Sequence, residues 1–317
     1  MRPGRSTRPR TRTRPRHDEA VPGFVTAVDR GRYTCQVADR DVTAMRAREL
    51  GRRSVVVGDE VALVGDLGGG PDALARIVRV AHRSSALRRT ADDLDPVERV
   101  VVANADTLVV VTALADPPPR AGLIDRCLVA AYDAGLAPVL CLTKSDLAAA
   151  GEWLGTYRPL GVSVVVTGRD DGGAGVAALR DRLAGRLSVL VGHSGVGKST
   201  LVNSLVPSAE RTIGAVNPVT GRGRHTSSSA VALPLSEGGW VIDTPGLRSF
   251  GLAHVAPDRL IAAFAELAPG TSACPPGCSH LGTDCRLDGW VAAGHATPGR
   301  LRSLRHLLAS RTAEPDS

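Results

Sequence analysis

Two short motifs stand in an unusual order along this chain of 317 residues. Residues 192–199 read G-H-S-G-V-G-K-S and fit the pattern G-x-x-x-x-G-K-[ST], which forms a loop around nucleotide phosphates. Upstream of this loop, residues 143–146 read T-K-S-D, which resembles the N/T-K-x-D motif that reads the base in GTP-binding domains. In most such domains the base motif follows the phosphate loop. The reversed order therefore predicts a circularly permuted nucleotide-binding domain.

The overall composition is that of a globular protein without a membrane span. Hydrophobic residues make up 43% of the chain and charged residues 22%. No apolar run approaches about eighteen residues, the length needed to cross a bilayer as a helix. The basic N-terminus has no apolar stretch behind it, which argues against a secretory signal. We therefore expect a cytoplasmic protein.

The positive net charge of +7 is concentrated at the N-terminus. Residues 1–16 contain seven arginines, three prolines and no acidic residue, a pattern that predicts a disordered arm. The arm either neutralises nucleic-acid phosphates or is a solvated tail without a dedicated role. In the first case it supplies affinity rather than sequence choice. Residues 312–317 are expected to form a frayed C-terminal tail.

Residues 17–85 have the pattern of a small β domain. Short alternating runs, including one at residues 55–57, are separated by turn signals and predict about five strands, as in an OB-like barrel. Such barrels often bind RNA, but Phe24 and Tyr33 are the only aromatic residues in this part. A barrel that reads the RNA backbone, or one that is only structural, is therefore as well supported as one that stacks bases.

Residues 86–252 form the next predicted domain. It begins with a polar, charged connector over residues 86–103 and continues with an α/β pattern. Continuous apolar runs predict parallel strands that are buried on both faces, and helical periodicity separates them. The predicted strands cover residues 107–111, 138–142, 162–166, 187–191 and 240–243. This alternation predicts a doubly wound P-loop domain, with its ligand loops at the carboxyl ends of the strands.

The predicted phosphate loop has the context that the motif requires. A strand precedes it and residues 200–205 begin a helix, which argues against a chance match in a glycine-rich chain. The backbone N–H groups of the loop and the helix N-terminus would surround a phosphate. Lys198 would pair with the β and γ oxygens, and Ser199 would ligate Mg²⁺.

The base motif predicts recognition of guanine. The Asp146 carboxylate can accept hydrogen bonds from both N1–H and the 2-amino group, a pair of donors that adenine does not offer. Lys144 would lie along the base, and the backbone of residues 166–168 would close over it. The alternative is that Asp146 only caps a helix beginning at Leu147.

Two segments fit the switches of a GTPase. Residues 243–246 read D-T-P-G, where Asp243 would hold Mg²⁺ through water and Gly246 would donate its N–H to the γ-phosphate. Residues 221–228 lie where the other switch is expected. There Thr226 is the first choice to ligate Mg²⁺ and Ser227 the second, although the stretch also reads as a flexible basic loop.

The residue after D-T-P-G bears on the rate of hydrolysis. Leu247 stands where many GTPases place a glutamine that orients the attacking water. We therefore expect slow basal turnover, with His225 or a bound partner positioning the water. The predicted catalytic residues are His225, Thr226, Asp243 and Gly246.

Residues 253–311 predict a mainly helical region around a cysteine-rich loop. Within twelve residues lie three cysteines and a histidine, Cys274, Cys278, His280 and Cys285. This is a ligand set suited to one structural, tetrahedral Zn²⁺. A disulfide or a reactive thiol is the alternative, and a cytoplasmic location argues against it. The other cysteines, Cys35, Cys127 and Cys141, lie in strand or helix patterns and are expected in the core.

The barrel, the motif order, the G-R-H-T and D-T-P-G segments and the Cys₃His loop together resemble the ribosome small-subunit-dependent GTPase A (RsgA) family. The resemblance implies a GTP hydrolase that binds the small ribosomal subunit and its rRNA, is stimulated by it and assists its late maturation. It also implies GTP or GDP with Mg²⁺, one zinc ion, and His225 in the hydrolysis step. We expect a monomer. The implied nucleotide-binding residues are Thr143, Lys144, Ser145, Asp146, Gly192, His193, Ser194, Gly195, Val196, Gly197, Lys198, Ser199 and Thr200.

Two departures from the family pattern and two rival functions remain open. The metal loop reads C-x₃-C-x-H-x₄-C rather than C-x₄-C-x-H-x₅-C, and the switch reads T-S-S-S rather than T-T-T. One rival is a GTP-regulated RNA-binding protein with negligible turnover. The other is a P-loop ATPase or a kinase of small molecules.

Overall fold

The computed structural model describes most of the chain. The described residues are 17–50, 55–70, 73–90, 97–207, 230–244, 251–252 and 254–309. Several predictions therefore lie outside the described residues. They concern the basic arm at 1–16, the tail at 312–317, and His225, Thr226, Ser227, Gly246 and Leu247.

The N-terminal part is a closed five-stranded barrel. Its strands are β1 (Val21–Asp29), β2 (Arg32–Val37), β3 (Arg40–Arg46), β4 (Glu60–Gly65) and β5 (Ala75–Val80). Strand β1 pairs with both β2 and β4, and β3 pairs with β5, so the order β1-β2-β3-β5-β4 closes on itself. The alternating pattern places Val25, Cys35, Leu63 and Ile77 in a fully buried core. The predicted OB-like barrel is confirmed.

Both aromatic residues of the barrel are used in packing. Tyr33 lies in the barrel core and is 7% exposed. Phe24 packs against Trp240 of the neighbouring α/β sheet, with ring centroids 5.1 Å apart. Both rings are engaged in packing contacts, which argues against a barrel that stacks bases.

Two local predictions are wrong at the junction of the barrel and the α/β part. Residues 55–57 do not form a strand, since Val57 makes only an isolated bridge to Val102. The predicted connector contains an antiparallel pair, β6 (Ala86–Arg89) and β7 (Arg99–Ala103). Leu87 and Val102 of this pair are fully buried in the main core, and this burial stabilises the pairing. The charged residues around them made the segment read as a connector in the sequence.

The central sheet has six strands and is mostly parallel. They are β8 (Thr107–Ala113), β9 (Ala137–Thr143), β10 (Ser163–Val166), β11 (Arg186–Gly192), β12 (Val231–Pro234) and β13 (Gly239–Asp243). Their order is β10-β9-β8-β11-β13-β12, and only β12, which the sequence did not predict, runs antiparallel. Ala27 of β1 pairs with Val231 of β12, so the sheet continues into the barrel.

Helices cover both faces of this sheet. They are α1 (Ala121–Asp133), α2 (Gly151–Tyr157), α3 (Ala174–Leu183) and α4 (Lys198–Leu205). The fully buried strand β8 shows the two-sided pattern, because Leu108 and Val110 belong to the core under α1, whereas Val109 and Val111 belong to the core under α3 and α4. The predicted doubly wound layout is confirmed.

The C-terminal region packs against the α1 face. It contains α5 (Pro257–Ala262), α6 (Leu287–Ala292) and α7 (Pro298–Ala309). The first predicted stripe is buried at Leu260, Phe264 and Leu267, while Ile261 is only partly buried. The second stripe is buried throughout, at Leu301, Leu304, Leu307 and Leu308. Both stripes join the same core as α1.

Candidate functional site

The base motif and the phosphate loop meet at the point where the strand order reverses. Strands β9 and β11 both neighbour β8, one on each side, and all three are parallel. The loops after them therefore lie at one edge of the sheet, where such folds bind ligands. Thr143 Oγ1, at the end of β9, donates to the carbonyl of Val196 in the phosphate loop at 2.6 Å. The two motifs are therefore in direct contact.

The phosphate loop connects β11 to α4 as predicted. Gly197 caps α4 with φ of 87°, a left-handed conformation that favours glycine. Val196 is buried beneath the loop, and Ser199 and Thr200 are exposed in the first turn of α4. The unpaired N–H groups of such a turn form an anion site. His193 Nδ1 lies 3.1 Å from the carbonyl of Ser194, within the loop itself.

The lysine of the phosphate loop lies beside the predicted magnesium carboxylate. Lys198 is 8% exposed, and its Nζ contacts the Asp243 carboxylate and the carbonyl of Thr244. Asp243 ends β13, which pairs with β11. Thr244 Oγ1 donates to the carbonyl of Leu190 at 2.7 Å and so ties the two strand ends together. The predicted Lys198 and Asp243 therefore share one site.

The base motif is held from two sides. Lys144 Nζ donates to the carbonyl of Asp116 in the loop between β8 and α1. The exposed Asp146 accepts a hydrogen bond from the Arg169 N–H, with 3.1 Å between the nitrogen and Oδ1. Helix α2 begins at Gly151 after Ala150, so Asp146 does not cap it and that alternative is excluded.

Two residues near the base motif were not predicted from the sequence. Asp116 contributes its main-chain carbonyl, and no sequence signal marks a contact of this kind. Asp171 accepts hydrogen bonds from the backbone N–H groups of three glycines, Gly168, Gly173 and Gly175. An aspartate followed by two glycines before a helix is a turn signal, and that signal could have identified Asp171.

The cysteine-rich loop brings its four predicted ligands together. One ligand atom from each of Cys274, Cys278, His280 and Cys285 lies within 4.8 Å of the others. The Cys274 and Cys285 sulfurs are 3.9 Å apart, and each lies 3.7 Å from His280 Nδ1. A tetrahedral ion with Zn–S bonds of 2.3 Å requires ligand separations of about 3.8 Å. The donor set and its spacing therefore fit a tetrahedral metal.

The remaining cysteines are core residues, as predicted. Cys35, Cys127 and Cys141 are at most 2% exposed. Burial raises the pKa of each of these thiols to about 12, since it disfavours the thiolate.

Within the described part of the chain, no helix is both long and apolar enough to span a bilayer.

Comparison with known proteins identifies the family. The family model of the RsgA GTPase matches residues 80–253. The small ribosomal subunit biogenesis GTPase RsgA of Ectopseudomonas mendocina is 40% identical over 266 residues, which cover 81% of this chain and 75% of that protein. The protein of the same name from Chlorobaculum parvum is 34% identical over 308 residues, covering 92% and 99% of the two chains.

Two solved structures share the fold. The crystal structure of YjeQ from Thermotoga maritima has a TM-score of 0.70 and 24% identity, covering 93% of this chain and 100% of that chain. The structure of YloQ, a circularly permuted GTPase, has a TM-score of 0.68 and 21% identity, covering 94% and 97%. Together with the motif order and the sequence matches, they show that the chain is a circularly permuted GTPase of the RsgA family.

Proposed function

We propose that this protein hydrolyses GTP at the edge of its central sheet and that its nucleotide state controls its binding to the small ribosomal subunit, whose late maturation it assists. The contact between Thr143 and Val196 carries the proposal, because it joins a base motif and a phosphate loop into one nucleotide site. The names of the relatives, small ribosomal subunit biogenesis GTPases, support the choice of partner.

Guanine is assigned to the Asp146 side of this site. A carboxylate accepts both N–H groups that guanine presents on one edge, while the N6 amino group and N1 acceptor of adenine do not match it. The backbone of residues 166–168 would lie over the base, and Lys144, held by Asp116, would lie along it.

The phosphates are assigned to residues 192–200. The first turn of α4 would supply N–H donors, and Lys198 would supply the charge that pairs with the β and γ oxygens. Ser199, together with Thr226 or Ser227, would ligate Mg²⁺, and Asp243 would hold it through water. When bound, Mg²⁺ neutralises charge on the phosphate oxygens. Gly246 and His225 are proposed to contact the γ-phosphate and to position water.

The metal loop is proposed to hold one structural zinc ion through Cys274, Cys278, His280 and Cys285. With all four tetrahedral positions taken by protein atoms, the site has no open position for catalysis. This region, the barrel and the basic arm would contact rRNA, and the protein would act as a monomer in the cytoplasm, where the subunits are assembled.

The test is GTP turnover measured with small subunits, large subunits and free RNA. Because Leu247 does not orient water, we expect slow basal turnover that only small subunits raise, by at least tenfold. Lys198→Ala should abolish the stimulated rate. Absence of stimulation would refute the ribosomal role, and absence of turnover in every mixture would favour the RNA-binding alternative. Equal competition by ATP would instead favour an ATPase or kinase.

A further inference from the structure

In the loop between β10 and α3, the Asp171 side chain makes several hydrogen bonds to the backbone, and the nucleotide chemistry proposed above gives Asp171 no role. Asp171 accepts hydrogen bonds from the backbone N–H groups of Gly168 at 3.1 Å, Gly173 at 2.7 Å and Gly175 at 3.2 Å. These bonds lower the pKa of its carboxyl, because they stabilise the charged form. Gly173 and Gly175 belong to the start of α3, but Gly168 does not. Asp171 therefore restrains more than the end of a helix.

The segment that Asp171 restrains lies directly against the base motif. The N–H of Ser145 donates to the carbonyl of Thr167 at 3.2 Å, and the N–H of Arg169 donates to Asp146 Oδ1 at 3.1 Å. A Cβ atom at Gly168 would lie 2.3 Å from Ser145 Oγ and 3.2 Å from the backbone nitrogen of Asp146, so the two segments leave no room for a side chain between them. A shift of this segment would move the donor that orients the Asp146 carboxylate.

We propose that Asp171 is a positioning residue for guanine selectivity, which holds the backbone of residues 168–169 so that the Arg169 N–H orients the Asp146 carboxylate toward the base. This inference rests on the proposed function of Asp146. Guanine offers two neighbouring donors, and both bonds form only when the two carboxylate oxygens face them together. Asp146 is exposed, so this hydrogen bond from the loop restrains the rotation of its carboxylate.

A purely structural role for Asp171 would have a different signature. If Asp171 only capped α3, its removal would lower stability and weaken all nucleotides alike. If it positions Asp146, its removal weakens the second of two hydrogen bonds to the base. The affinity ratio of GDP to IDP separates these effects, since hypoxanthine lacks the 2-amino group that makes the second bond.

The experiment measures the dissociation constants of GDP and IDP for the full-length protein and its Asp171→Ala variant. We expect GDP affinity to fall about tenfold, the size of one lost hydrogen bond to a charged group. IDP affinity should change less than about twofold, so the ratio of GDP affinity to IDP affinity should fall. Turnover at saturating GTP should stay within about twofold, because the phosphate contacts are untouched. Asp170→Ala is the matched control, since Asp170 is exposed beside Asp171 and makes none of these bonds.

A second variant and a reference variant make the outcome decisive. Asp171→Asn keeps the shape of the side chain and one acceptor oxygen, so it should lower the ratio of GDP affinity to IDP affinity by less than Asp171→Ala does. It replaces Asp171→Ala in the experiment if that variant does not fold. A wild-type GDP to IDP ratio in both variants would overturn the positioning role, whatever their melting temperatures. Asp146→Ala separates failure of the Asp171 proposal from failure of the proposed function. If Asp146→Ala also retains the preference for GDP over IDP, the assignment of guanine to Asp146 is wrong.

Discussion

At the scale of single residues, we propose that base selectivity depends on the acceptor character of the Asp146 side chain. Asp146→Asn replaces one acceptor oxygen by an N–H donor. Guanine then meets a donor opposite its own donor, whereas the C2 carbonyl of xanthine meets a partner. We expect GTP affinity to fall about a hundredfold or more and XTP affinity to rise, the size of effect produced by mispaired polar groups in a binding site.

Competition of GTP and XTP against a fluorescent nucleotide measures this change. Asp170→Asn controls for the loss of one negative charge nearby. Undiminished GTP binding by Asp146→Asn would show that another group reads the base.

At the scale of elements, a buried ion cluster joins α7 to α1. Arg300 Nη1 donates to Asp125 Oδ1 at 2.7 Å, and Arg300 Nε donates to Glu266 Oε1 at 2.6 Å. The guanidinium also lies 4.2 Å from the centre of the Phe264 ring. Ser303 and Tyr157 donate to the Asp125 carboxylate, which is 3% exposed. The C-terminal region is therefore attached to the nucleotide-binding part through apolar packing and buried charge.

Removal of one partner should destabilise this junction strongly. Arg300→Met leaves the Asp125 charge buried without its cation, and we expect the free energy of unfolding to fall by about 3–5 kcal/mol at neutral pH. Arg302→Met, an exposed residue of the same helix, should change it by less than about 0.5 kcal/mol. Denaturant unfolding measures both. Equal stability of the two variants would contradict the importance of the cluster.

The loss in the free energy of unfolding caused by Arg300→Met should also depend on pH. Burial raises the pKa of the Asp125 carboxyl, and Arg300 opposes this rise. Without Arg300 the pKa rises further above its value in the unfolded chain, so the folded variant binds a proton more readily than the unfolded one. Stability is therefore regained as pH falls. In the same denaturant unfolding measurements, we expect Arg300→Met to lose less stability relative to the wild-type protein at pH 5 than at pH 8.

At the scale of the whole molecule, the six cysteines fall into two groups, three in the metal loop and three in the core. Chelation of the proposed zinc should make the partly exposed thiols of Cys274 and Cys278 reactive toward a maleimide at pH 7.5, while the buried Cys285 reacts more slowly. Cys35, Cys127 and Cys141 should stay unreactive until the protein unfolds, because they are buried and their pKa is raised to about 12. Mass spectrometry of the labelled protein with and without chelator checks this. Labelling of all six thiols in one step after chelation would mean that the whole fold depends on the metal.

Sequence alone predicted the motifs on which the proposed chemistry of the site rests, because each motif is local. The phosphate loop, the base motif and the Cys₃His loop carry their donors within a few residues, and strand and helix patterns on either side gave them context. The parallel strands were predictable for the same reason, since burial on both faces leaves continuous apolar runs such as residues 107–111.

Only the tertiary structure decided how distant segments meet. Thr143 and Val196 are 53 residues apart in the chain, and Asp125 and Arg300 are 175 apart. The pairing of β6 with β7 depends on a core that buries Leu87 and Val102, and the role of Asp116 depends on a main-chain carbonyl. Such contacts leave no local pattern, because the free energy that forms them comes from packing between elements rather than from the residues on either side.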